Sequence, residues 1–301
     1  MCRLFGLSGA PNRVRATFWL LDASDSLLVQ SHREPDGTGL GHFAADGTPR
    51  VEKQPLAAFE DRAFARSARS ARSETFVAHI RYASTGGLTP QNTHPFEQRG
   101  RLLAHNGVIE DLPALESQLG EYASLVHGET DSERFFALVT KETDAHGGDA
   151  GAGLAAAARW VAAHLPLYAL NIVLVSATEL WALRYPETHG LYVLERAAGA
   201  PLRHRGAATS MRVHSEDLAQ QPAVVVASEP MDADPAWRQL AAGELLHVDA
   251  QGHAATELAL ERPPRHPLTL SDLGGRAASS QTAHPTGAQA AATRAAPPPP
   301  G

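Results

Sequence analysis

The sequence predicts an α+β fold in which antiparallel sheet predominates, and three observations support this. Short strand-like runs are more frequent than helical patterns, and several of them follow one another directly. Residues 169–176 and 180–185 are two such runs separated by a short turn, as in a hairpin. Gly37, Gly39 and Gly41 lack the spacing and the following helix of a nucleotide-binding fingerprint, so a doubly wound parallel sheet is not favoured.

The individual elements follow from hydrophobic periodicity and from turn and cap residues. Strand character occurs at residues 2–8, 40–43, 75–79, 100–105, 169–176, 180–185, 191–194, 223–228 and 244–248. Helical patterns occupy residues 131–141 and 153–164, and a third begins after Asp111, which we interpret as its N-cap. Residues 26–31 end a helix or form a short strand. A solvated helix face or a loop is predicted where arginines recur at helical spacing, at Arg62, Arg66, Arg69 and Arg72.

Composition and charge exclude several functional classes. The 301 residues carry a formal net charge of -7 and no basic block, which argues against a nucleic-acid or membrane-surface role. No apolar run reaches the ~18 residues that a membrane-spanning helix needs, and the first residues lack the pattern of a signal peptide. We therefore expect a cytoplasmic protein. The 15 histidines show no metal-ligand spacing, so neither a metal nor a cofactor is predicted.

The composition of the chain changes at Pro263. Residues 263–301 are rich in proline, alanine, serine, glycine and threonine. Such a segment cannot bury enough apolar surface to offset the entropy that is lost when a chain becomes ordered. We predict that these residues form a disordered tail and that the folded domain is residues 2–262.

Cys2 is the one cysteine of the chain, so neither an internal disulfide nor a cysteine-rich zinc site is available. Lone cysteines are most often inert core residues, and Cys2 also fits a passive second residue. If Met1 is removed, however, Cys2 carries both a thiol and a free α-amino group. The pKa of an α-amino group is about 7.7–8.0, low enough for the amine to take the thiol proton near neutrality. Cys2 is therefore a candidate nucleophile that needs no histidine.

Five short segments follow Cys2 in order. They are HREPDGTG at residues 32–39, HIRYASTGG with NTHPF at 79–87 and 92–96, HNGVIED at 105–111, and GETDSE at 128–133. Each segment alone is weak evidence for a function, because Asn106-Gly107 is also a common hairpin turn and Asp131 is also a common residue at a helix N-terminus. Together, behind an N-terminal cysteine, they resemble the class II glutamine amidotransferase family, whose members carry R-[WY]-A-[ST]-x-G, N-[AT]-H-P, H-N-G and T-D-[ST]-E. The resemblance covers residues 2–133.

Two positions indicate the branch of the family. Tyr82 stands where synthase-linked members often have tryptophan, and Thr85 where they often have histidine. These variants are more similar to the stand-alone branch, which includes the ergothioneine-pathway γ-glutamyl amidohydrolase. The resemblance implies an Ntn-hydrolase fold, which is a four-layer αββα sandwich with two antiparallel sheets between helical layers.

The resemblance also implies a role for each matching residue. Cys2 is the implied nucleophile, and the side-chain amide of Asn106 with the backbone N–H of Gly107 is the implied oxyanion hole. Arg81 would hold the α-carboxylate of glutamine, because a planar guanidinium can pair with a carboxylate through two hydrogen bonds. Asp131 would hold the α-ammonium.

The other predicted substrate contacts lie after Arg81. We expect Tyr82, Ser84 and His94 to contact the substrate, with residues 84–94 forming a loop that closes over it. A purely structural histidine is an equal interpretation of His94. Later in the chain, residues 228–230 follow a predicted strand and either border the active site or have a structural role.

The predicted reaction is cleavage of a γ-glutamyl amide through a thioester on Cys2, with release of glutamate. Glutamine would give ammonia, and a γ-glutamyl conjugate would give a larger amine. Residues 134–262 show no phosphate loop, sugar-isomerase domain or ATP-binding module, so a stand-alone hydrolase is favoured. Two alternatives stay open: a glutaminase subunit that delivers ammonia to a separate acceptor synthase, and a non-catalytic regulatory subunit. Cys2, Asn106 and Asp131 are all intact, which argues against the second alternative.

Overall fold

The computed structural model describes residues 2–83, 86–200 and 220–282. Within these ranges the chain forms two β-sheets that stack face to face, with helices against the outer face of each sheet. The order of the layers is therefore helix, sheet, sheet, helix. The predicted α+β class and the four-layer αββα sandwich are confirmed.

Fourteen strands occur in the described part of the chain. They are β1 (Arg3–Ser8), β2 (Gly37–Phe43), β3 (Pro49–Gln54), β4 (Thr75–Arg81), β5 (Phe96–Gln98), β6 (Arg101–Ile109), β7 (Pro166–Val175), β8 (Leu180–Leu183), β9 (Tyr192–Arg196), β10 (Ala223–Ala227), β11 (Arg238–Gln239), β12 (Glu244–Val248), β13 (Ala254–Leu258) and β14 (His266–Pro267). The first sheet has the order β11-β9-β10-β1-β4-β2-β3, and the second has the order β13-β12-β8-β7-β6-β5. Neighbouring strands in both orders are antiparallel, whereas β14 pairs with the start of β7 in parallel.

Five of the six described α-helices follow a residue whose side chain caps them. The described helices are α1 (Leu27–Gln30), α2 (Arg62–Ser70), α3 (Leu112–Leu119), α4 (Asp131–Ala145), α5 (Ala150–His164) and α6 (Gly275–Gln281), with a π-helical turn at Phe18–Asp22 and a 3-10 helix at Gly120–Leu125. The predicted N-cap Asp111 accepts a hydrogen bond from the backbone N–H of Ala114. The arginine-rich segment is helix α2 rather than a loop, because Asp61 caps it and its apolar side is buried.

Alternation along the central strands sends side chains into different parts of the core. In β1, Leu4 faces the second sheet, whereas Phe5 packs towards the helices outside the first sheet. In β6, Leu102 faces the first sheet, whereas Leu103 packs with the core formed by α4 and α5. Strands β1 and β6 are therefore covered on both faces, and polar residues on them must find partners inside the protein.

The structure differs from the predicted disordered tail over residues 263–282. Strand β14 pairs with Pro166 and Leu167 of β7, and helix α6 follows it. Leu273 is buried and packs against β6 and β7, with help from partly buried alanines of α6. Average composition does not reveal such a segment, because a few well-placed apolar side chains are enough to dock it. Residues 283–301, the rest of the predicted tail, lie outside the described residues.

Candidate active site

Cys2 lies directly before β1, the strand at the centre of the first sheet, and its side chain is buried with 7% of its surface exposed. The backbone N–H of Tyr82 donates a hydrogen bond to Cys2 Sγ at 3.2 Å, and Sγ lies 3.3 Å from the Tyr82 carbonyl oxygen. Tyr82 follows β4, which pairs with β1, so the sheet itself brings these two residues together.

The protonation state of Cys2 follows from its burial. Burial raises the pKa of the Cys2 thiol above its usual value, and the hydrogen bond from the Tyr82 N–H opposes that rise. The raised pKa favours the neutral thiol over the thiolate. A thiolate must be formed by a neighbouring base when the nucleophile is used.

A partly buried ionic cluster fixes the strand that follows Cys2. Arg3 Nε pairs with Glu229 Oε1 at 2.8 Å, and Arg33 Nη2 contacts the same oxygen at 3.3 Å. Ser228 Oγ accepts a hydrogen bond from the Leu4 N–H at 2.9 Å. Residues 228–229 thus border the region of Cys2, but their contacts hold β1 in place, which supports the structural interpretation.

Asn106 and Gly107 lie inside β6 and not in a hairpin turn, since both pair with residues of β7. Asn106 Nδ2 donates a hydrogen bond to the Cys2 carbonyl oxygen at 3.1 Å, and Asn106 Oδ1 is buried with no hydrogen-bond partner among the described residues. A Cβ atom on Gly107 would lie 1.8 Å from the Ala169 carbonyl oxygen. Only glycine allows the two backbones to approach so closely.

Asp131 is the first residue of α4, and Thr130 caps that helix. The side chain of Asp131 is 3% exposed, and Oδ2 accepts a hydrogen bond from the backbone N–H of Ile109 at 2.9 Å. Asp131 is therefore attached to the same strand, β6, that carries Asn106 and Gly107. A carboxylate at a helix N-terminus is also stabilised by the helix dipole.

Arg81 ends β4, and its side chain is buried with 4% of its surface exposed. Arg81 Nη1 donates a hydrogen bond to the Gly87 carbonyl oxygen at 3.0 Å. Burial lowers the pKa of its guanidinium, whereas the negative charges of Asp36 and Asp131, and that of a Cys2 thiolate once it forms, oppose that change. Arg81 thus lies within electrostatic range of both the candidate nucleophile and the candidate ammonium-binding carboxylate.

The chain after Gly86 is tied to the start of α4. Asn92 Nδ2 donates to the Gly87 carbonyl oxygen at 3.2 Å and to Glu129 Oε2 at 2.9 Å. Asn92 Oδ1 accepts from the Glu129 N–H at 2.8 Å. The asparagine of the NTHPF segment therefore has a structural role. Ser84, a predicted substrate contact, lies outside the described residues.

Three buried histidines lie together behind the candidate nucleophile. The rings of His79 and His94 are 4.2 Å apart, and neither ring nitrogen of either residue has a hydrogen-bond partner among the described residues. His105 Nδ1 lies 2.9 Å from Ser132 Oγ. Burial lowers the pKa of His79 to about 3 and lowers the pKa values of His94 and His105 as well. All three are therefore neutral near pH 7.

One cavity joins most of the predicted site residues. Its lining residues are Cys2, His79, Arg81, Tyr82, His94, His105, Gly107, Thr130, Asp131 and Ser132. The cavity measures about 20 Å³, which is room for one water molecule, so its lining side chains must move apart to admit a larger ligand. Asn106 is attached to the lining through its hydrogen bond to Cys2.

The sequence interpretation missed four of these lining residues, His79, His105, Thr130 and Ser132. All four stand within the motif segments. The alternation of side chains along a strand could have indicated His79 and His105, and the start of helix α4 could have indicated Thr130 and Ser132. Among the described residues, no group of three or more histidine, cysteine, aspartate or glutamate side chains has the geometry to hold a metal ion. None of the described helices is long and apolar enough to cross a membrane.

Two curated proteins that resemble the chain match it over more than four fifths of its length. A protein of Mycobacterium tuberculosis named gamma-glutamyl-hercynylcysteine sulfoxide hydrolase is 31% identical over 278 residues, which is 88% of this chain and 100% of that protein. A protein of the same name from Mycolicibacterium smegmatis is 28% identical over 260 residues, 82% of this chain and 96% of that protein.

Solved structures agree with the fold. A glutamine aminotransferase class-II domain protein from Silicibacter pomeroyi superposes with a TM-score of 0.56 at 24% identity, covering 85% of this chain and 98% of that one. The glutamine phosphoribosylpyrophosphate amidotransferase of B. subtilis gives a TM-score of 0.61 at 19% identity, covering 87% of this chain and 50% of that one. A sequence model described as glutamine amidotransferases class-II matches residues 1–270, past the predicted domain boundary at 262. The chain is therefore a member of the class II glutamine amidotransferase family, and an enzyme that acts on amide bonds.

Proposed function

We propose that the chain hydrolyses γ-glutamyl amides through a thioester on Cys2. The observation that carries this proposal is the single cavity shared by Cys2, Arg81 and Asp131. The three side chains supply a nucleophile, a cation and an anion, which match the γ-carbonyl, the α-carboxylate and the α-ammonium of a glutamyl group. A nucleophile and two opposite charges within one cavity favour an amino-acid amide over a general amide.

In the first half of the proposed reaction, Sγ attacks the γ-carbonyl carbon and a C–S bond forms. The α-amino group of Cys2, once Met1 is removed, takes the thiol proton and passes it to the departing nitrogen as the C–N bond breaks. A base of this kind is needed because burial raises the pKa of the thiol. Water then attacks the thioester, glutamate leaves, and the thiol is restored.

Asn106 and Gly107 are proposed to stabilise the negative oxygen of the tetrahedral intermediate. Nδ2 of asparagine carries two hydrogens, and one of them is engaged by the Cys2 carbonyl oxygen. The second hydrogen and the Gly107 N–H are then the donors available for the oxyanion. Arg81 and Asp131 hold the glutamyl end, so that its γ-amide is presented to Sγ.

The amine product is proposed to be larger than ammonia. The mycobacterial relatives that match over most of their length are named as hydrolases of a γ-glutamyl conjugate. A hydrolase of this kind needs no acceptor enzyme, whereas a glutaminase that supplies ammonia does. We therefore propose a γ-glutamyl conjugate of a sulfur-containing amino acid as the substrate class, with glutamine as a poorer substrate.

The direct test is glutamate release by the purified protein from glutamine, from γ-glutamylcysteine and from γ-glutamyl-p-nitroanilide. We expect turnover of at least one γ-glutamyl compound, and a rate loss on the order of 10³-fold or more in Cys2→Ala. Arg265→Ala, which changes an exposed arginine outside the cavity, is the control and should keep the wild-type rate. Failure of the wild-type protein to cleave any γ-glutamyl amide would remove the proposal.

A further inference from the structure

Asp36 makes a hydrogen bond on either side of Tyr82. Its side-chain Oδ2 accepts a hydrogen bond from the backbone N–H of Ala83 at 2.9 Å. Its own backbone N–H donates to the Arg81 carbonyl oxygen at 3.1 Å. Asp36 lies directly before β2, and Gly37, the first residue of that strand, pairs with Arg81 of β4. One residue thus fixes the backbone before and after Tyr82.

The two peptide groups on either side of Tyr82 also contact the sulfur of Cys2. In the Arg81–Tyr82 peptide, the carbonyl oxygen accepts from Asp36, and the N–H donates to Cys2 Sγ at 3.2 Å. In the Tyr82–Ala83 peptide, the N–H donates to the Asp36 carboxylate, and the carbonyl oxygen lies 3.3 Å from Sγ. Because a peptide group is planar, fixing one of its edges orients the other. Asp36 therefore orients both groups that face the sulfur.

This support begins where the strand pairing stops. Among the described residues, the pairing of β4 with β2 ends at Arg81, and its pairing with β1 ends at Ile80. Ala83 is nevertheless buried, with 3% of its surface exposed, so its N–H needs a partner inside the protein. The Asp36 carboxylate is that partner, and it takes the place of a neighbouring strand beside Cys2.

The two contacts of the sulfur favour different protonation states. The Tyr82 N–H stabilises the thiolate, whereas the Tyr82 carbonyl oxygen can accept the S–H of the neutral thiol. The first contact depends on the backbone of Asp36, which every substitution retains. The second depends on its side chain. A substitution at Asp36 should therefore release the Tyr82 carbonyl oxygen from the sulfur while the N–H contact stays.

We propose that Asp36 is a positioning residue, which holds the peptide groups of Tyr82 against Cys2 and so fixes the direction of Sγ within the cavity. This assignment rests on the proposed role of Cys2 as the nucleophile. A reacting atom that is displaced by about 1 Å can lose as much as 10²-fold in rate. The effect of Asp36 should therefore appear in kcat, while substrate binding by Arg81 and Asp131 is retained.

Two substitutions separate the position of the carboxylate from its charge. Asp36→Glu keeps the charge but displaces the oxygen by one methylene, whereas Asp36→Asn keeps an oxygen acceptor in place without the charge. We expect Asp36→Glu to lower kcat on the preferred γ-glutamyl substrate about tenfold, with KM changed by less than about twofold. Asp36→Asn should keep kcat within about threefold of wild type. Asp36→Ala should match Asp36→Glu, and it replaces that variant if the longer side chain unfolds the protein.

The pKa of the Cys2 thiol is a second measurement, and it needs no turnover. Cys2 is the one cysteine of the chain, so the pH dependence of iodoacetamide labelling reports on Cys2 alone. In Asp36→Glu this pKa should fall by about half a unit, because the Tyr82 carbonyl no longer stabilises the neutral thiol. A lower thiol pKa together with a lower kcat is the combination that distinguishes lost positioning from general damage to the fold.

Asp61→Ala is the matched control. Like Asp36, Asp61 accepts hydrogen bonds from backbone N–H groups, but it does so at the start of α2, from Ala63 and Phe64. Its replacement should lower the free energy of unfolding and leave both kcat and the pKa of the Cys2 thiol unchanged.

Two results overturn the inference. A wild-type kcat and thiol pKa in Asp36→Glu would show that the position of the carboxylate does not matter. A loss of kcat in Asp36→Asn equal to or larger than that in Asp36→Glu would show that Asp36 acts through its charge. If the wild-type protein cleaves no γ-glutamyl amide, the proposed function fails, and the thiol pKa in Asp36→Glu still decides whether Asp36 positions the sulfur.

Discussion

The side-chain amide of Asn106 donates a hydrogen bond to the backbone carbonyl oxygen of Cys2, across the interface between the two sheets, at 3.1 Å. Cys2 precedes the central strand of the first sheet, and Asn106 lies within β6 of the second sheet. The contact therefore fixes the candidate nucleophile relative to the candidate oxyanion donors. Neither residue could be oriented in this way by its own strand alone.

Asn106→Ala should lower kcat on the preferred γ-glutamyl substrate by about 10²–10³-fold, because it removes one donor to the oxyanion and releases the Cys2 carbonyl. The loss should appear in kcat more than in KM, since the donor acts when charge develops on the carbonyl oxygen. Steady-state kinetics measure both. A kcat within about threefold of wild type would exclude Asn106 from the oxyanion hole.

Asp131→Asn should weaken substrate binding and so lower kcat/KM. The carboxylate that is proposed to meet the α-ammonium is buried, and losing one partner of such a pair costs about 2–5 kcal/mol, or roughly 30-fold to several thousand-fold in kcat/KM. Labelling of Cys2 by iodoacetamide should be retained, since the thiol is untouched.

N-acetyl-glutamine and glutamine α-methyl ester test the same pair of charges from the side of the substrate. Each compound lacks one charge of the glutamyl group, so both should be very poor substrates compared with glutamine. If the wild-type enzyme cleaves N-acetyl-glutamine as well as glutamine, or if Asp131→Asn is kinetically silent, Arg81 and Asp131 do not form a clamp for the glutamyl α-carbon.

The free energy of unfolding should depend on pH because the buried histidines are neutral in the folded protein. The pKa of His79 is about 3 in the folded protein, against about 6.5 for an unfolded histidine. Below about pH 6.5 the unfolded chain binds more protons than the folded one, so the free energy of unfolding falls as the pH falls towards 3. Each such histidine contributes up to about 1.4 kcal/mol per pH unit in this interval.

Urea unfolding between about pH 7.5 and pH 5 measures this slope. His79→Gln should make the slope shallower, even if its stability at pH 7.5 is lower. His253→Gln, which replaces an exposed histidine, is the matched control and should leave the slope unchanged. A His79→Gln variant with the wild-type slope would contradict the assignment of a neutral, buried imidazole.

The packing of the C-terminal segment can be tested with two leucines. Leu273 is buried against β6 and β7, whereas Leu270 is 42% exposed. Leu273→Ala should lower the free energy of unfolding by about 2 kcal/mol, and Leu270→Ala by about 0.5 kcal/mol or less. Equal effects of the two substitutions in thermal or urea unfolding would mean that residues 263–282 do not dock as described.

Most of the fold was predictable because the elements of the core have strong periodic patterns. The hairpin of β7 and β8, the strands β1, β4 and β6, and helices α4 and α5 were all expected close to their observed positions. Strands β3 and β13 were missed because they lie at sheet edges and bury little. In β3 every second residue is exposed, and β13 is exposed over four of its five residues. Strand β5 has only three residues, too few for a periodic pattern.

The candidate site could be proposed from the sequence where its residues stand in motif segments, but not where the fold brings distant residues together. Cys2, Arg81, Gly107 and Asp131 were all named from those segments, and they line one cavity. Their catalytic and binding roles stay predictions. The packing of α6 against β6 and β7 depends on contacts between residues almost a hundred positions apart, such as that of Gln281 with His189. No local sequence pattern records a contact of that kind.

A free α-amine on Cys2 should be required for turnover. An extension ahead of Cys2 converts the amine to an amide, which is not a base near neutrality. Protein that retains such an extension should therefore be inactive, and its activity should return when a protease exposes Cys2. Glutamate release, measured with intact mass on the same sample, checks this. Full activity in protein shown to retain the extension would assign the base to another group.

The thioester on Cys2 can be detected by mass spectrometry of acid-quenched reactions. With γ-glutamyl-p-nitroanilide, whose leaving group departs readily, the acyl-enzyme should accumulate early in the reaction. We expect an N-terminal peptide that begins at Cys2 and carries one γ-glutamyl group, and no such adduct in Cys2→Ala. Turnover by Cys2→Ala at a rate near that of wild type, or a γ-glutamyl group attached to a different residue, would contradict it.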